Sequence, residues 1–255
     1  MVARKRFGQH FLHDSSVIGR IIDLVHALPE NNIIEIGPGR GAITDGLVNS
    51  GCNLRLVEID RDLVLELKKK YGGKLEILTT DALKLNYGNF GKCLRVIGNL
   101  PYNISSPILF KLFGYVSHIE DMIFMLQKEV VDRICAPCGT KNYGRLSIMS
   151  QYYCTAEKMF DVAPEAFSPQ PKVNSAVIKL IPHDNPDRSQ SLICLKNIVT
   201  GAFSQRRKTI RNALKPWLNQ EQLASIGIDT TLRPEELSLK DFIKCADLVW
   251  ELQQK

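Results

Sequence analysis

The segment "NIIEIGPGRGAIT" (residues 32–44) joins an apolar run to a glycine-rich turn and then to a helix-forming stretch. The apolar run predicts a short buried strand. Gly37, Gly39 and Gly41 predict a tight turn at which a ligand can approach the amides at the start of the following helix. Gly37, Gly39 and Ala42 also fit the pattern G-x-G-x-x-G/A of dinucleotide-binding turns. The segment therefore predicts the first strand, turn and helix of an α/β fold that binds a ligand at this turn.

Beyond this segment, short apolar runs alternate with helical patterns. The predicted strands are "NLRLVEID" (53–60), "KLEILTTDAL" (74–83), "LRVIGNLP" (94–101) and "DMIFMLQ" (121–127). The predicted helices are "RDLVLELKKKYG" (61–72), with a stop signal at Gly72, "SPILFKLFGYV" (106–116) and "KEVVDRICA" (128–136). This alternation indicates a parallel, doubly wound α/β sheet.

The later part of the chain departs from this alternation. "RLSIMSQYYCTAEKMF" (145–160) and "NSAVIKLIP" (174–182) predict further strands without a long helix between them. A linker that contains Pro and Asp follows at residues 181–191, and the pattern beyond it is helical. We therefore expect an α/β domain over residues 1–184 and a small all-helical domain over residues 185–255.

The composition of the 255 residues is that of an ordinary globular protein, with 44% hydrophobic and 24% charged residues. No apolar run reaches the roughly 18 residues that cross a bilayer, and the basic N-terminus lacks the apolar stretch of a signal peptide. These features predict a cytoplasmic protein that does not bind membranes. The seven cysteines are scattered, and the pair in "CAPC" (135–138) has no second pair or matching histidines. We therefore expect reduced thiols and no metal site.

Two carboxylates follow the second and third predicted strands. Glu58 lies 21 residues after Gly37, where a carboxylate can accept hydrogen bonds from both hydroxyls of a ribose. Asp81, at the end of the third strand, can accept a bond from an adenine amino group. Together with the glycine turn, these residues predict a cofactor that contains adenosine. They do not say which adenosine cofactor it is.

The stretch "GNLPYNISS" (98–106) favours one class of cofactor. Hydride transfer needs a group that exchanges a proton with the alcohol, and this stretch offers no basic side chain. Methyl transfer to an adenine N6 amine needs acceptors instead, and the Asn99 side chain and the Leu100 carbonyl can bond its two hydrogens. Pro101 presents a prolyl segment at the same place, and Tyr102 can stack on a flipped-out base. The stretch predicts an amino-group methyltransferase that uses S-adenosylmethionine.

Basic residues are concentrated in two places, although the net charge of +6 is modest. The run "FSQRRKTIRNALKPW" (203–217) contains no acid and predicts a helix whose buried face holds Phe203, Ile210, Leu214 and Trp217. Its cations lie on another face, and with those of the N-terminal "RKR" they predict a partner rich in phosphate. The candidate phosphate contacts are Arg206, Arg207, Lys208, Arg211 and Lys215, together with Arg4, Lys5 and Arg6.

Nine motifs are distributed between about residues 4 and 250. They are "FGQHFLHD", "EIGPGRGAIT", "VEID", "TDAL", "GNLPYNISSPILFKL", "MLQKEVVDRI", "YGRLSI", "FSPQPKVNSAVIKL" and "FSQRRKTIRNAL". In this order and with this spacing, they resemble the ribosomal RNA adenine dimethyltransferase family, of the small-subunit type. The resemblance implies a Rossmann-like class I methyltransferase core with a small all-helical C-terminal domain that docks on rRNA.

The resemblance also implies a substrate and a set of site residues. The substrate would be the N6 amines of two adjacent adenines in the hairpin near the 3′ end of 16S rRNA, within the small ribosomal subunit. A checkpoint role late in subunit assembly is compatible with this activity, and we expect a monomer. The implied cofactor contacts are His10, where many relatives have Asn, Leu12, Gly37, Gly39, Glu58, Asp81 and Asn99. The implied catalytic residues are Asn99, Leu100, Pro101, Tyr102 and Phe167, whose ring would extend from a proline-rigid loop against the target adenine.

Two other functions remain open at the level of sequence. The first is a 23S rRNA adenine methyltransferase of the resistance type. The segment "FSQRRKTIRNAL" and Leu100 in "NLPY" speak against it, since that group resembles "NIPY". The second is a binding protein of the same fold without catalysis, acting in ribosome assembly or transcription. The intact set of Gly37, Glu58, Asp81 and Asn99 favours an enzyme.

Overall fold

The computed structural model describes residues 9–184 and 188–254. Arg4, Lys5 and Arg6, which are predicted phosphate contacts, lie outside the described residues. No helix within the described parts of the chain is long and apolar enough to cross a membrane.

The described chain divides into two compact units. The sheet unit comprises the residues up to Val131 together with Thr155–Pro182. The helical unit comprises Asp132–Cys154 and the residues from His183 onward. This division differs from the expected boundary between residues 184 and 185, because it assigns residues 132–154 to the helical unit.

The elements are numbered in chain order. The strands are β1 (Phe11–Leu12), β2 (Asn32–Ile36), β3 (Asn53–Glu58), β4 (Glu76–Thr79), β5 (Leu94–Asn99), β6 (Ile119–Gln127), β7 (Cys154–Val162), β8 (Phe167–Ser168) and β9 (Ser175–Pro182). The helices are α1 (Ser15–Val25), α2 (Thr44–Val48), α3 (Arg61–Tyr71), α4 (Ser105–Phe113), α5 (Lys128–Ile134), α6 (Arg145–Tyr153), α7 (Leu192–Ser204), α8 (Ile210–Ala213), α9 (Gln220–Ser225) and α10 (Leu239–Gln253).

The sheet unit is built on a seven-stranded sheet in the order β4-β3-β2-β5-β6-β9-β7. The pairs β3–β4, β2–β3, β2–β5 and β5–β6 are parallel, and β9 runs antiparallel to β6. The predicted doubly wound α/β fold is therefore confirmed. Helix α3 ends as predicted, because Gly72 adopts φ +58° as its C-cap.

The strand order brings three predicted site segments to one edge of the sheet. Strands β2, β3 and β5 are parallel neighbours, so the residues that follow their carboxyl ends lie side by side. Gly98 permits this approach, because a Cβ at this position would lie 2.3 Å from the Ile36 carbonyl oxygen. Asn99 therefore ends β5 directly beside the glycine turn that follows β2.

The segment from Arg145 to Tyr153 is a helix, so the strand predicted over residues 145–160 is wrong in its first half. The Ser147 hydroxyl donates to the Arg133 carbonyl, and the Gln151 amide donates to the Ala136 carbonyl at 2.9 Å. Ile148 and Tyr152, four residues apart, pack in the core of the helical unit. These tertiary contacts favour a helical period, and they explain why residues 132–154 belong to this unit.

The helix predicted over residues 203–217 is also interrupted. Helix α7 ends at Ser204, and Gln205 leaves the helical conformation with φ −127° and ψ 47°. Helix α8 begins only at Ile210, whose amide donates to the Leu232 carbonyl at 2.7 Å. A contact with a distant loop thus replaces the hydrogen bond that a continuous helix would make. The apolar residues of the run still pack in the core, and Ile210 and Leu214 are fully buried.

Candidate active site

A cleft of about 280 Å³ opens in the sheet unit, at the carboxyl ends of the parallel strands. Its lining residues are 9–12, 35–40, 42–43, 57–59, 63, 80–83 and 99–104. The cleft brings together ten predicted site residues, namely His10, Leu12, Gly37, Gly39, Glu58, Asp81, Asn99, Leu100, Pro101 and Tyr102. Among the predicted site residues that the structure describes in this unit, Phe167 does not line the cleft.

The glycine turn after β2 forms one wall of the cleft. Gly39 has φ +58°, and a Cβ at this position would lie 3.2 Å from the Phe11 ring. Gly41 has φ +83°, and its Cβ would lie 2.2 Å from the Tyr71 hydroxyl. A larger residue would be strained at either position, because φ is positive at both, and at Gly41 it would also clash with the Tyr71 hydroxyl.

Glu58 stands at the end of β3 and is 6% exposed. Its Oε1 atom accepts hydrogen bonds from the amides of Ile59 and Asp60, each at 2.9 Å. Burial raises the pKa of Glu58, while the hydrogen bonds from Asp60, Ile59 and Gly39 oppose that shift. The carboxyl group is thus held in one orientation at the cleft wall.

Asp81 follows β4 and is fixed by its own backbone. Its Oδ1 atom accepts from the Leu83 amide at 2.9 Å, which holds the side chain in a turn at the cleft.

Asp60 is a nearby residue that the sequence analysis missed. It is 3% exposed, it caps α3 by accepting from the Asp62 amide, and its other oxygen accepts from Gln9 at 3.1 Å. The motif "VEID" contained the signal, since an aspartate before a helical run is a typical N-cap.

Glu35, which lines the cleft, is a second residue that the sequence analysis missed. Its carboxyl group is 1% exposed and accepts from the Thr44 hydroxyl at 2.6 Å. Burial raises the pKa of Glu35 to about 7, the Thr44 bond and Lys70 lower it, and the negative charges of Asp45 and Glu58 raise it further. An acidic residue inside the apolar run "NIIEIG" was the available signal, because a buried charge in a strand is rarely structural filler.

Asn99 is oriented by the N-terminal segment. Its Nδ2 atom donates to the His10 main-chain carbonyl at 3.1 Å, which fixes the plane of the carboxamide. The Oδ1 atom is then the end of the side chain that can accept from a ligand. Leu100 buries its side chain at 1% exposure, and the Pro101 carbonyl accepts from the Ile104 amide at 3.1 Å to close the turn.

Tyr102 is held at its hydroxyl and against its ring. The hydroxyl pairs with the Ser175 hydroxyl at 2.8 Å, and the ring lies against the His10 imidazole with centroids 5.6 Å apart. Burial raises the pKa of Tyr102, and the bond to Ser175 opposes the shift. The side chain therefore presents a neutral aromatic surface to the cleft.

Phe167 does not extend over the cleft, and that part of the prediction is wrong. Strand β8 pairs with β1 and places Phe167 opposite Leu12. The ring is 3% exposed and packs in a core with Val162 and Val177. Burying the large aromatic ring is more favourable than exposing it on the loop, because an exposed ring would leave a cavity in this core.

The basic run of the helical unit contains two kinds of cation. Arg206 donates to the carbonyls of Lys141 and Tyr143 at 2.8 and 3.0 Å, so it holds two loops of this unit together. Arg211 bonds the Gln220 side chain at 3.0 Å. Arg207, Lys208 and Lys215 have exposed side chains. The five predicted phosphate contacts therefore do not line one helix face, and Arg206 has a structural role.

Residues 9–184 and 188–254 contain no cluster of three or more His, Cys, Asp or Glu side chains that could hold an ion. None of the seven cysteines, all of which lie within the described residues, forms a disulfide bond.

Comparison with known proteins identifies the family. A model of the family described as ribosomal RNA adenine dimethylase matches residues 1–250 of the chain. A "Ribosomal RNA small subunit methyltransferase A" from Methylococcus capsulatus is 51% identical, with 95% of this chain and 96% of the relative covered. A protein of the same name from Coxiella burnetii is 50% identical, with 98% of each chain covered.

Solved structures agree in fold. A dimethyladenosine transferase from Plasmodium falciparum superimposes with a TM-score of 0.82 at 27% identity, covering 96% of this chain and 98% of that one. The 23S rRNA methyltransferase ErmE superimposes with a TM-score of 0.75 at 22% identity, covering 94% and 99%. The chain has the class I methyltransferase fold, and it belongs to the ribosomal RNA adenine dimethylase family.

Proposed function

We propose that this rRNA adenine dimethyltransferase uses S-adenosylmethionine to dimethylate the N6 amines of two adjacent adenines in the hairpin near the 3′ end of 16S rRNA, within the small ribosomal subunit. The observation that carries the proposal is the convergence of Glu58, Asp81, Asn99 and Tyr102 on one cleft. Relatives named for the small subunit and about 50% identical along nearly the whole chain support the choice of rRNA.

The cleft residues fit an adenosine cofactor with a sulfonium methyl group. The Glu58 carboxylate would accept from the ribose hydroxyls, and Asp81 would accept from the adenine amine. Gly37 and Gly39 let the ligand approach the backbone, while His10 and Leu12 of the N-terminal segment line the other side. When bound, S-adenosylmethionine supplies a methyl group whose departure leaves a neutral thioether.

Catalysis by the protein would rest on positioning. Asn99 Oδ1 and the Leu100 carbonyl would each accept one hydrogen of the acceptor amine. These bonds would favour a pyramidal nitrogen whose lone pair points toward the methyl donor. Without them, the lone pair is delocalised into the adenine ring and the amine is a weak nucleophile. The positive charge of the sulfonium would pass to the amine nitrogen with the methyl group, so the methylated amine would release a proton to water without a strong base near the site. Tyr102 would stack on the flipped-out adenine and hold its plane.

The helical unit would dock the enzyme on rRNA. Arg207, Lys208 and Lys215 are exposed cations that can contact phosphates, and Arg211 adds a fourth. Residues 4–6 stay a predicted second contact outside the described residues. We further infer that the protein acts in the cytoplasm as a monomer and that its binding serves as a checkpoint late in assembly of the small subunit.

Incubation with methyl-labelled cofactor tests the proposal. Immature small subunits and, separately, large subunits are exposed to the enzyme, and the labelled rRNA is digested and mapped. We expect two dimethylated adenines in 16S rRNA and no label in 23S rRNA. Mature small subunits, already methylated, are the matched control and should remain unlabelled. Label in 23S rRNA alone would favour the resistance-type activity and contradict the proposal.

A further inference from the structure

Three side chains hold the glycine turn after β2 from outside the cleft, and we name Asp45, Lys70 and Tyr71 the turn clamp. The Lys70 ammonium donates to the Arg40 carbonyl at 3.1 Å and to Asp45 Oδ2 at 2.6 Å. The Tyr71 hydroxyl donates to Asp45 Oδ1 at 2.9 Å and lies 3.4 Å from the Gly41 carbonyl oxygen. The members of the turn clamp are described residues that lie outside the cleft lining, whereas Arg40 of the turn lines it.

The Asp45 carboxylate joins the two side chains at the end of α3. Burial, reinforced by the bond to Asp45, raises the pKa of Tyr71, so its hydroxyl keeps the proton that it donates. The Lys70 ammonium takes the other carboxylate oxygen and also lies 5.3 Å from the centroid of the Tyr71 ring. Both oxygens of Asp45 are therefore bound, and the three side chains form one connected unit.

Gly41 makes room for the turn clamp. A Cβ at this position would clash with the Tyr71 hydroxyl and would lie 3.3 Å from Lys70 Nζ. The Gly41 amide donates to the Pro38 carbonyl at 2.8 Å, and the Asp45 amide donates to the Gly41 carbonyl at 3.0 Å. The turn clamp thus contacts the turn at the residues whose own hydrogen bonds give the turn its shape.

Helix α3 connects the turn clamp to the carboxyl group of Glu58. The helix begins at Arg61, three residues after Glu58, and ends at Tyr71. Leu67 of this helix is 1% exposed and packs in the core of the sheet unit. Because the helix is anchored in the core, the turn clamp fixes the glycine turn relative to Glu58.

We propose that Lys70 and Tyr71 are positioning residues for the cofactor, which hold the glycine turn in its ligand-binding shape before the ligand arrives. The inference rests on the proposed function, because this turn is the part of the cleft assigned to S-adenosylmethionine. A turn that is already ordered loses less conformational freedom on binding, so loss of the turn clamp weakens affinity. The ion pair of Lys70 and Asp45 is about half exposed and contributes little to global stability. The turn clamp therefore acts mainly on cofactor binding.

Three variants and a matched control test the inference. Tyr71→Phe keeps the ring and removes the hydroxyl, Lys70→Met keeps the aliphatic chain and removes the ammonium, and the third variant combines both changes. Lys69→Met is the control, because it removes the same charge from the neighbouring exposed lysine of α3. S-adenosylmethionine carries a net positive charge, so the loss of a lysine charge by itself would not weaken its binding.

Hydrogen exchange of the cofactor-free enzyme is the first readout. The Gly41 and Asp45 amides should exchange about tenfold faster in Tyr71→Phe and in Lys70→Met than in wild type, and added S-adenosylmethionine should restore their protection. Calorimetry should show cofactor affinity about three- to tenfold weaker in each single variant. The double variant should lose less than the product of the two single losses, because both side chains act through Asp45. Lys69→Met should match wild type in both measurements.

Kinetics and thermal unfolding separate positioning from general damage to the fold. With immature small subunits as substrate, the KM for the cofactor should rise by about the same factor as its dissociation constant. The rate at saturating cofactor should stay within about threefold of wild type, since the turn clamp does not touch the reacting atoms. Unfolding of each variant should remain cooperative, with a melting temperature near that of Lys69→Met.

Unchanged exchange and unchanged affinity in both single variants would overturn the inference. A lower melting temperature with wild-type affinity would overturn it in favour of a purely structural role, and an equal loss of affinity in Lys69→Met would assign the effect to charge. A wild-type enzyme that does not bind S-adenosylmethionine would contradict the proposed function itself. Exchange in the cofactor-free enzyme would still measure whether the turn clamp orders the turn, so the two failures are distinguishable.

Discussion

The fold holds the side chains of the cleft in fixed positions, whereas it leaves the cations Arg207 and Lys208 of the basic run exposed. In the cleft, Glu58 and Asn99 stand at strand ends and each is held by main-chain groups at about 3 Å. In the basic run, Arg207 and Lys208 are exposed and follow the end of a helix. Methyl transfer needs groups placed to a fraction of an ångström, whereas attraction to phosphate needs charge near a surface. The difference separates residues that act through position from residues that act through charge.

The two regions also differ in their effect on stability. Glu35 and Glu58 are carboxyl groups removed from water, and burial raises the pKa of both. Keeping such groups ionised lowers the stability of the fold. The exposed cations Arg207 and Lys208 have no such cost, because they remain in water. Changes in the cleft should therefore alter rate, cofactor binding or stability, and changes in the exposed cations should alter docking alone.

The largest effect is expected at the strand end that carries the amide. Asn99→Ala removes the acceptor for the substrate amine, so methyl transfer at saturating substrate should slow by about 10²–10³-fold, the range measured when one oriented hydrogen-bonding group is removed from an active site. Single-turnover kinetics measure this rate. The matched control is Asn103→Ala, an exposed amide of the same cleft, which should stay near wild type. A near wild-type rate for Asn99→Ala would refute the positioning mechanism.

The next effect concerns the stability contributed by Glu35. Its pKa of about 7 in the folded protein lies above its ordinary value of 4.5, so the folded state binds more protons than the unfolded chain between these pH values. Stability from this group is therefore complete below pH 4.5 and is lost as the pH rises through 7, by at most roughly 3 kcal/mol. Glu35→Gln keeps a neutral acceptor for Thr44 and removes the ionisation.

Thermal unfolding of wild type and Glu35→Gln at pH 5 and pH 8 measures this difference. The variant should gain stability over wild type at pH 8, and the two should be closer at pH 5. Arg207→Gln is the control from the exposed cations, and its stability relative to wild type should not depend on pH. An equal difference between Glu35→Gln and wild type at both pH values would mean that Glu35 does not titrate in this range.

A third test addresses the cofactor. Glu58→Ala removes a charged acceptor, and hydrogen bonds to charged groups contribute about 1.5–3 kcal/mol, so S-adenosylmethionine affinity should fall about ten- to a hundredfold. Calorimetry measures it, with the exposed Glu30→Ala as control. Unchanged affinity in Glu58→Ala, or tight binding of a nicotinamide cofactor by the wild type, would contradict the assignment of the cleft.

Much of the cleft was predictable because parallel strands impose it. Once "NIIEIG", "LRLVE" and "LRVIGN" are recognised as neighbouring strands, their carboxyl ends must meet, and the side chains of Glu58 and Asn99 follow. The positions of Gln9 and Asp60 were not predictable in this way. Their contact joins residues 51 positions apart, and no local pattern specifies it.

The errors share one physical cause. Phe167 stands on a loop that suits display, but the pairing of β8 with β1 draws its ring into the core. Residues 145–153 contain residues that suit a strand, and contacts with α5 and its following turn make them helical. In the basic run, the Leu232 carbonyl accepts a hydrogen bond from the Ile210 amide, and the expected helix is interrupted. In each case a long-range contact outweighs a local conformational preference. A single sequence shows the local preference but not the long-range contact.

The smallest effects are expected in the basic run, where the contrast between Arg206 and its neighbours is sharpest. Replacing Arg207 and Lys208 together by Ala should weaken small-subunit binding about tenfold and reduce the slope of log affinity against log salt by about two, one for each phosphate contact. The transfer rate on saturating subunits and the melting temperature should remain near wild type.

Arg206→Ala is the matched control, and it should lower stability rather than docking. It removes two hydrogen bonds to the carbonyls of Lys141 and Tyr143, so it should lower stability by about 1 kcal/mol, or roughly 2–4 °C. Filter binding across a salt series and calorimetric unfolding measure both. An unchanged salt slope with unchanged stability in the double variant would show that these cations do not touch rRNA, and the docking surface would then have to be sought at residues 4–6.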